Sequence, residues 1–303
     1  MKTVIISGAT GYFGGIASSY FNSIGWKVLK ATRNDEADIY FDIENPKLIS
    51  KTKLDEKVDL FIHAAASHEV ECKDEPYKAI FKNVIGTKAA LDFCVNNNIE
   101  NFIYLSTFHV FGEPEGILTE TSIPYPANDY GLSHFQAEEY INMYRRQNKI
   151  KSLILRPSNF YGIPSKIQEF KRWTLVPFAF SRDAVLNEKI ILHTSGNQYR
   201  NFVSVKDICR VIEHSLPKMD QLSLVHIVGN DSISIRSLAY LVKRVMNEYF
   251  NENIDIVINS KDKISTKDYK FTSLYLNEIY KPADSIEYFI LNFIKQLKES
   301  EKE

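Results

Sequence analysis

The chain has 303 residues, of which 44% are hydrophobic, 13% aromatic and 25% charged, the proportions of a folded globular protein, which exclude disordered, collagen-like and coiled-coil classes. Lys plus Arg number 37 and Asp plus Glu 38, for a net charge of −1, so no general field steers nucleic acid or an anionic membrane and any anionic ligand must be held by a local site. At roughly 150 residues per domain, the length predicts two domains or one large domain with a smaller lobe. Thr3 to Ser7 is a β-branched apolar run that predicts a strand buried on both faces. Ile16, Ala17, Tyr20, Phe21 and Ile24 then repeat at the spacing of one helical face, with Gly25 at the C-terminal cap position. Trp26 to Ala31, Val58 to Ala64, Asn101 to Ser106 and Lys151 to Arg156 read as further strands. Helical patterns cover Tyr77 to Val95 and Tyr130 to Gln147, the second with Leu132, Phe135, Tyr140 and Met143 along one side. This alternation predicts an α/β fold, a Rossmann-type doubly wound parallel sheet with right-handed crossovers. Prolines 157, 164 and 177 then interrupt the rhythm, and weaker helices follow at Val205 to Ser215, Ile235 to Asn247 and Ser285 to Lys298. The expected division is a dinucleotide-binding domain over 1–160, with part of 200–217 packing on it, and a smaller mixed lobe over 161–303. The final Lys-Glu-Ser-Glu-Lys-Glu is expected to fray.

Cys72, Cys94 and Cys209 show no CxxC spacing, which argues against a disulfide framework or structural zinc and for a reducing compartment. Histidines 63, 68, 193, 214 and 226 have no metal-ligand spacing, so no metal is expected. No run of about 18 apolar residues predicts a spanning helix. The N-terminal apolar run is too short for a signal peptide, and the cytoplasm is the expected location.

The loop Gly8-Ala9-Thr10-Gly11-Tyr12-Phe13-Gly14 lies between the first strand and the first helix. Glycines there allow a tight turn and let backbone N–H groups approach a pyrophosphate, whose charge the helix N-terminus favours. In its G-x-x-G-x-x-G spacing this loop resembles that of the extended short-chain dehydrogenase/reductases, the nucleotide-sugar epimerase/dehydratase family. Further segments match in the family's order along essentially the whole chain. Phe41-Asp42-Ile43 is similar to the segment whose aspartate contacts adenine, and His63-Ala64-Ala65-Ala66 to the small-residue turn beside the cofactor. Asn83-Val84-Ile85-Gly86-Thr87 is similar to N-V-x-G-T, and Ser106-Thr107-Phe108-His109-Val110-Phe111-Gly112 to S-S/T-x-x-V-Y-G with Phe111 for the usual tyrosine. Arg156-Pro157-Ser158-Asn159-Phe160-Tyr161-Gly162 resembles R-P-x-N-x-Y-G, the run from Gln198 to Asp207 resembles Q-x-R-D-F-V-x-V-x-D, and Lys281-Pro282 resembles the motif before the family's last helix. The resemblance implies that NAD(P) is held by Gly8, Thr10, Gly11, Tyr12, Phe13, Gly14, Asp42, Ile43, Ala64, Ala65, Ala66 and Asn83.

The second strand ends Ala31-Thr32-Arg33-Asn34, with no acid for a ribose 2′-OH until Asp35. Arg33 suits a 2′-phosphate, so NADP(H) is the expected cofactor with NAD(H) open; a solvated surface charge is the plainer reading of Arg33. Hydride transfer at a carbon bearing oxygen needs a proton moved on that oxygen. In the resembled family a Tyr-x-x-x-Lys pair does this, and Tyr130-Gly131-Leu132-Ser133-His134 occupies its place with histidine for lysine. Residues four apart share a helix face, so His134 is expected to reach the same region; the resemblance, in which the lysine holds the nicotinamide ribose, implies that His134 anchors that ribose. A histidine starts near 6.5 and is mostly neutral at pH 7, so it should lower the Tyr130 pKa less than a lysine. That favours a phenol that gives a proton, in ketone reduction, over a phenolate that takes one. Tyr130 as an ordinary core tyrosine is the alternative. Thr107 aligns with the family's catalytic hydroxyl, and Ser106 is its neighbour on the opposite strand face. Phe108 and His109 stand where dehydratases of the family carry an acidic pair, which argues against 4,6-dehydration.

Asn159, Val176 and Arg200 match positions that hold the nucleotide-sugar diphosphate and its pocket, arginine suiting bidentate contact with phosphate oxygens. Arg200 paired with Asp207 is the structural alternative, and Ser67 is placed within reach of the sugar. The expected activity is an NAD(P)-dependent oxidoreductase reducing a 4-keto-6-deoxysugar nucleotide. A nucleotide-sugar 4-epimerase with retained NAD, or a non-catalytic NAD(P)-binding regulatory protein, are the alternatives. A nucleotide-sugar substrate is the expected partner, with neither nucleic acid nor membrane; many relatives pair through a two-helix face into a four-helix bundle, and the resemblance implies that the helices at 77–95 and 130–147 could form such a homodimer here.

Overall fold

Thr3–Ser7 is buried at all five positions because it lies at the centre of a seven-stranded sheet. The computed structural model describes residues 1–259 and 268–300. Strands β1 (Thr3–Ser7), β2 (Lys27–Thr32), β3 (Ile39–Tyr40), β4 (Leu60–His63), β5 (Asn101–Leu105), β6 (Lys151–Pro157) and β7 (Leu224–Ile227) lie in the order β7-β6-β5-β4-β1-β2-β3. Every pairing is parallel. The order reverses between β1 and β4, which opens a crevice at their C-terminal ends.

Alternation along β1 divides the core in two. Val4 and Ile6 pack with Ala17 and Phe21 of the Tyr12–Ser23 helix and with Ile208 and Ile212 of the Val205–Ser215 helix. Ile5 faces the other way, toward Phe93 of the Gly86–Asn96 helix and Ile141 of the Asp129–Arg146 helix. A third core joins the helices Val176–Asn187, Ile235–Phe250 and Ile286–Ser300 through Phe178, Leu238, Val242, Phe289 and Phe293. The second half of the chain also returns to the sheet, because β7 pairs with β6 and Val205–Ser215 packs against the first helix.

Four expectations need correction. The segment 77–95 is not one helix: Pro76–Ala79 runs into a π-helical turn, Ile80–Ile85, before Gly86–Asn96 begins. On Asp129–Arg146 the buried line is Ser133, His134, Ala137, Glu138, Ile141 and Tyr144, whereas Leu132 is 42% exposed. The apolar spacing misled because this helix turns polar side chains inward, toward the crevice and a buried arginine. Pro177 does not interrupt the fold but sits in the first turn of Val176–Asn187, where a missing N–H costs nothing. At the C-terminus, Lys298 is helical and ion-paired with Glu252 at 2.6 Å rather than frayed, and residues 301–303 lie outside the described residues.

Candidate active site

The glycine loop caps the crevice. Gly8 adopts φ +70°, and a Cβ there would lie 3.0 Å from the Ala65 Cα, so only glycine lets the loop and the Ala64–Ala66 turn approach so closely. The helix that follows has Gly11 as its N-cap, with no side-chain cap and no acidic residue in its first turn, so its N–H groups are left for an anion. Thr10 Oγ1 meets Thr32 Oγ1 at 3.1 Å at the end of β2. Phe13 is buried in the core, and Tyr12 packs on Phe160, Phe170 and Phe178, against both the first and the third core, so both side chains serve packing.

Just after β3, Asp42 accepts from the Glu44 N–H, and the Ile43 side chain sits where a Gly86 Cβ would otherwise lie, 2.8 Å away. The Arg33 side chain is 63% exposed, and its Nη1 lies 3.6 Å from Glu44. Glu44 also pairs with Lys82 at 2.6 Å, and Lys82 holds the Glu44 carboxyl below its usual range.

Beneath the loop runs a buried chain of polar groups whose protons can be assigned. Ser7 Oγ accepts the N–H groups of Ala64 and Ala65, so its own proton goes to His63 Nδ1 at 2.7 Å. His63 Nε2–H then donates to Thr87 Oγ1 at 3.1 Å, and Thr87 donates to the Asn83 carbonyl at 2.6 Å. Burial holds His63 neutral, its pKa lowered to about 3. The side chain of Asn83 braces the turn to the Asp129–Arg146 helix: Oδ1 accepts from the Ser67 N–H at 2.7 Å and Nδ2 donates to Ser133 at 2.9 Å. Asn83 and Ser67 are therefore buried and bonded to each other, and Asn83 lies on the π-turn.

Tyr130 lies in the first turn of Asp129–Arg146, capped by Asn128 Oδ1. Gly131 lets this turn press on the 108–111 loop: a Cβ would stand 2.4 Å from the His109 carbonyl oxygen. Burial raises the Tyr130 pKa above its usual 10.0, while a hydrogen bond from the Thr107 hydroxyl and then the field of Arg172 oppose that rise. The His134 ring stands 4.7 Å from the Tyr130 ring, edge to face. Its Nδ1 is 2.7 Å from the Tyr104 hydroxyl, its Nε2 is buried with no hydrogen-bond partner among the described residues, and the residue is 3% exposed.

 Burial, and next the nearby His109, lower the His134 pKa to about 3, so this imidazole is neutral at any physiological pH.

Ser106 does not join this group. Its hydroxyl donates to Glu138 at 2.5 Å, and Glu138 is held by Arg156 Nε at 2.9 Å and Nη2 at 2.5 Å, a bidentate pair sealed under the helix. Strand alternation explains the split, with Ser106 facing inward and Thr107 facing Tyr130. Sequence reasoning gave Tyr104 and Glu138 no role and took Arg156 only as part of the R-P-x-N-x-Y-G run; the hint for Tyr104 was a tyrosine inside an otherwise apolar buried strand.

Asn159, Val176 and Arg200 come together in a cavity of about 260 Å³, joined there by His193, Thr194 and Gln198. Arg200 does not pair with Asp207. Its Nη1 donates to the Tyr199 carbonyl at 3.0 Å, while Asp207 is taken by Arg210 at 2.7 Å. No group of three or more His, Cys, Asp or Glu that could hold a metal occurs among the described residues.

A dinucleotide fits these residues, as the uncapped helix start and the orphaned His134 Nε2 show. The model of the NAD dependent epimerase/dehydratase family matches residues 4–228. The chain belongs to that family. Among curated relatives it is 29% identical over 238 residues to the dTDP-D-glucose 4,6-dehydratase of Homo sapiens, covering 77% of this chain and 64% of that one. It is 28% identical over 258 residues to the GDP-6-deoxy-D-talose 4-dehydrogenase of Aggregatibacter actinomycetemcomitans, covering 79% and 85%. Its fold is similar to that of the UDP-glucose 4-epimerase from Thermotoga maritima, solved with UDP-glucose, at a TM-score of 0.83 and 19% identity, covering 98% of this chain and 99% of that one. The matches span 42–64% of the length of four dehydratase relatives. Family membership and the parallel sheet agree with what the motifs imply. Among the described residues no helix is long and apolar enough to cross a membrane.

Proposed function

We propose that this chain is an NAD(P)-dependent oxidoreductase of nucleotide sugars that reduces a 4-keto-6-deoxysugar nucleotide. The observation that carries the reading is a protonated phenol, Tyr130, hydrogen-bonded by Thr107 and followed one turn later by a neutral, buried histidine. When bound, the nicotinamide supplies the hydride. Gly8, Gly11 and Gly14 bring backbone to its pyrophosphate, Asp42 and Ile43 flank the adenine, and Ala64 to Ala66 line its path. Arg33, exposed at the end of β2, accepts a 2′-phosphate and makes NADP(H) the preferred form. Arg200 and Asn159 hold the substrate diphosphate in the 260 Å³ cavity.

As the carbonyl carbon of the sugar is reduced, its oxygen gains charge and needs a proton. Tyr130 gives that proton, Thr107 stabilises the oxygen, and no cation adjoins the phenol on its own helix to turn it into a base. Dehydration finds no support at Phe108 and His109, since neither is an acid. We further propose the division into a cofactor domain over 1–160 and a substrate lobe over 161–303, with 200–217 packing back. The test is to mix the purified chain with NADPH and a panel of 4-keto-6-deoxysugar nucleotides and follow NADPH absorbance. Substrate-dependent oxidation is expected. Interconversion of 4-epimers without added cofactor, by protein that purifies with NAD bound, would replace this reading with epimerisation.

A further inference from the structure

The crevice holds one buried polar contact that the proposed reaction does not yet use. Tyr104 lies on β5, under the catalytic helix, with its ring stacked on His63 at 5.8 Å and its hydroxyl 2.7 Å from His134 Nδ1. The proton in that contact has a preferred place. A phenol, with a pKa near 10, is the stronger acid, and an imidazole nitrogen, whose conjugate acid is near 6.5, is the stronger base, so O–H···N is favoured over N–H···O. The Thr87 hydroxyl also lies within hydrogen-bond reach of Tyr104, but it spends its own proton on the Asn83 carbonyl and accepts from His63, and its oxygen is a weaker acceptor than an imidazole nitrogen. His63 in turn is fixed through Ser7, so the chain has no spare proton to pass to Tyr104 from that side.

We propose that Tyr104 is a positioning residue that fixes His134 in its Nε2–H tautomer, so that a neutral imidazole offers a single N–H donor to the nicotinamide ribose. The inference rests on the NAD(P)-dependent reading above and deepens it. The unpartnered donor is His134 Nε2, buried one turn along the helix from Tyr130. Such a group is costly to leave unpaired, and a ribose hydroxyl satisfies it. The pair thus anchors the cofactor by a hydrogen bond and leaves the phenol without a cation on its own helix, the field of Arg172 remaining.

Histidine-selective 15N labelling reads the tautomer in the cofactor-free protein, with His134→Gln assigning the resonance. The expected spectrum at neutral pH shows Nε2 protonated and Nδ1 bare. Tyr104→Phe keeps the ring on His63 but removes the donor. It is expected to mix the tautomers and weaken NADPH binding by roughly three- to ten-fold, the range of one hydrogen bond. In a His134→Lys background the same substitution should change affinity by less than about twofold, because an ammonium has no tautomer to fix. A wild-type spectrum with Nδ1 protonated overturns the proposal, and so does a folded Tyr104→Phe variant with unchanged tautomer and affinity. The wild-type spectrum needs no variant, so it decides the point even where Tyr104→Phe fails to fold. Normal NADPH binding with the Nε2–H tautomer but no turnover of any keto sugar nucleotide would sink the reductase reading and still support this role for Tyr104.

Discussion

Replacing the neutral imidazole by an ammonium, His134→Lys, should convert Tyr130 from a proton donor into a group that also works as a base. The two rings are 4.7 Å apart. A unit charge at that distance in an effective dielectric of about 20 is worth ~3.5 kcal/mol, or ~2.6 pKa units of phenol depression. Solvent entering with the flexible side chain reduces this, so a fall of about one to two units is expected. In the wild type, burial places the phenol above its ordinary 10.0, so it stays protonated through neutral pH and reduction should be nearly independent of pH there. No inflection from His134 is expected, because its pKa is held at about 3. In His134→Lys the alkaline limb of reduction moves to lower pH, and alcohol oxidation at slightly alkaline pH rises about tenfold per unit of depression. Initial rates in both directions across pH, with cofactor saturating, measure this. A folded variant that binds cofactor but keeps the wild-type limb and oxidative rate would refute the reasoning, because it would show that charge at this position does not set the phenol's proton affinity.

Three buried imidazoles give the fold an acid-sensitive stability, His63, His134 and His226, the last with its pKa lowered by burial to about 4. His63 and His134 sit at about 3, below the usual 6.5, so the unfolded chain binds more protons and stability falls as pH drops from about 6.5 toward about 3. Urea midpoints should therefore show a loss of about 2 kcal/mol per imidazole from about pH 7 to about pH 5, and His63→Gln should flatten the slope if it folds. Arg33→Ala should weaken NADPH by about tenfold and leave NADH within about twofold, read by fluorescence titration; equal loss for both would remove the 2′-phosphate role. Glu138→Ala leaves Arg156 buried and unpaired, and should cost about 3–5 kcal/mol, a Tm decrease on the order of 10 °C by calorimetry.

The parallel sheet was legible because its strands are buried on both faces, as the unbroken Val4-Ile5-Ile6 run requires, and because the glycine loop stands between a strand and a helix. Tyr130 was legible through its spacing to position 134 and the flanking Gly131. What stayed hidden was direction. One sequence does not show that Ser106 points into the Glu138–Arg156 pair while Thr107 points at the phenol, since both are small hydroxyls on adjacent residues. Nor does helical periodicity reveal a buried face made of Ser133, His134 and Glu138, because polar residues read as solvated until their partners on β5 and β6 are in place. Asn83 was found by motif, but its bracing of Ser67 and Ser133 depends on a π-turn that no apolar spacing marks.

The most direct measurement is turnover of a keto sugar nucleotide by Tyr130→Phe, with cofactor affinity measured on the same preparation. Loss of the proton donor should lower kcat by roughly 10²- to 10⁴-fold while NADPH binding stays within about threefold. Undiminished turnover by a chain without that hydroxyl would contradict the account.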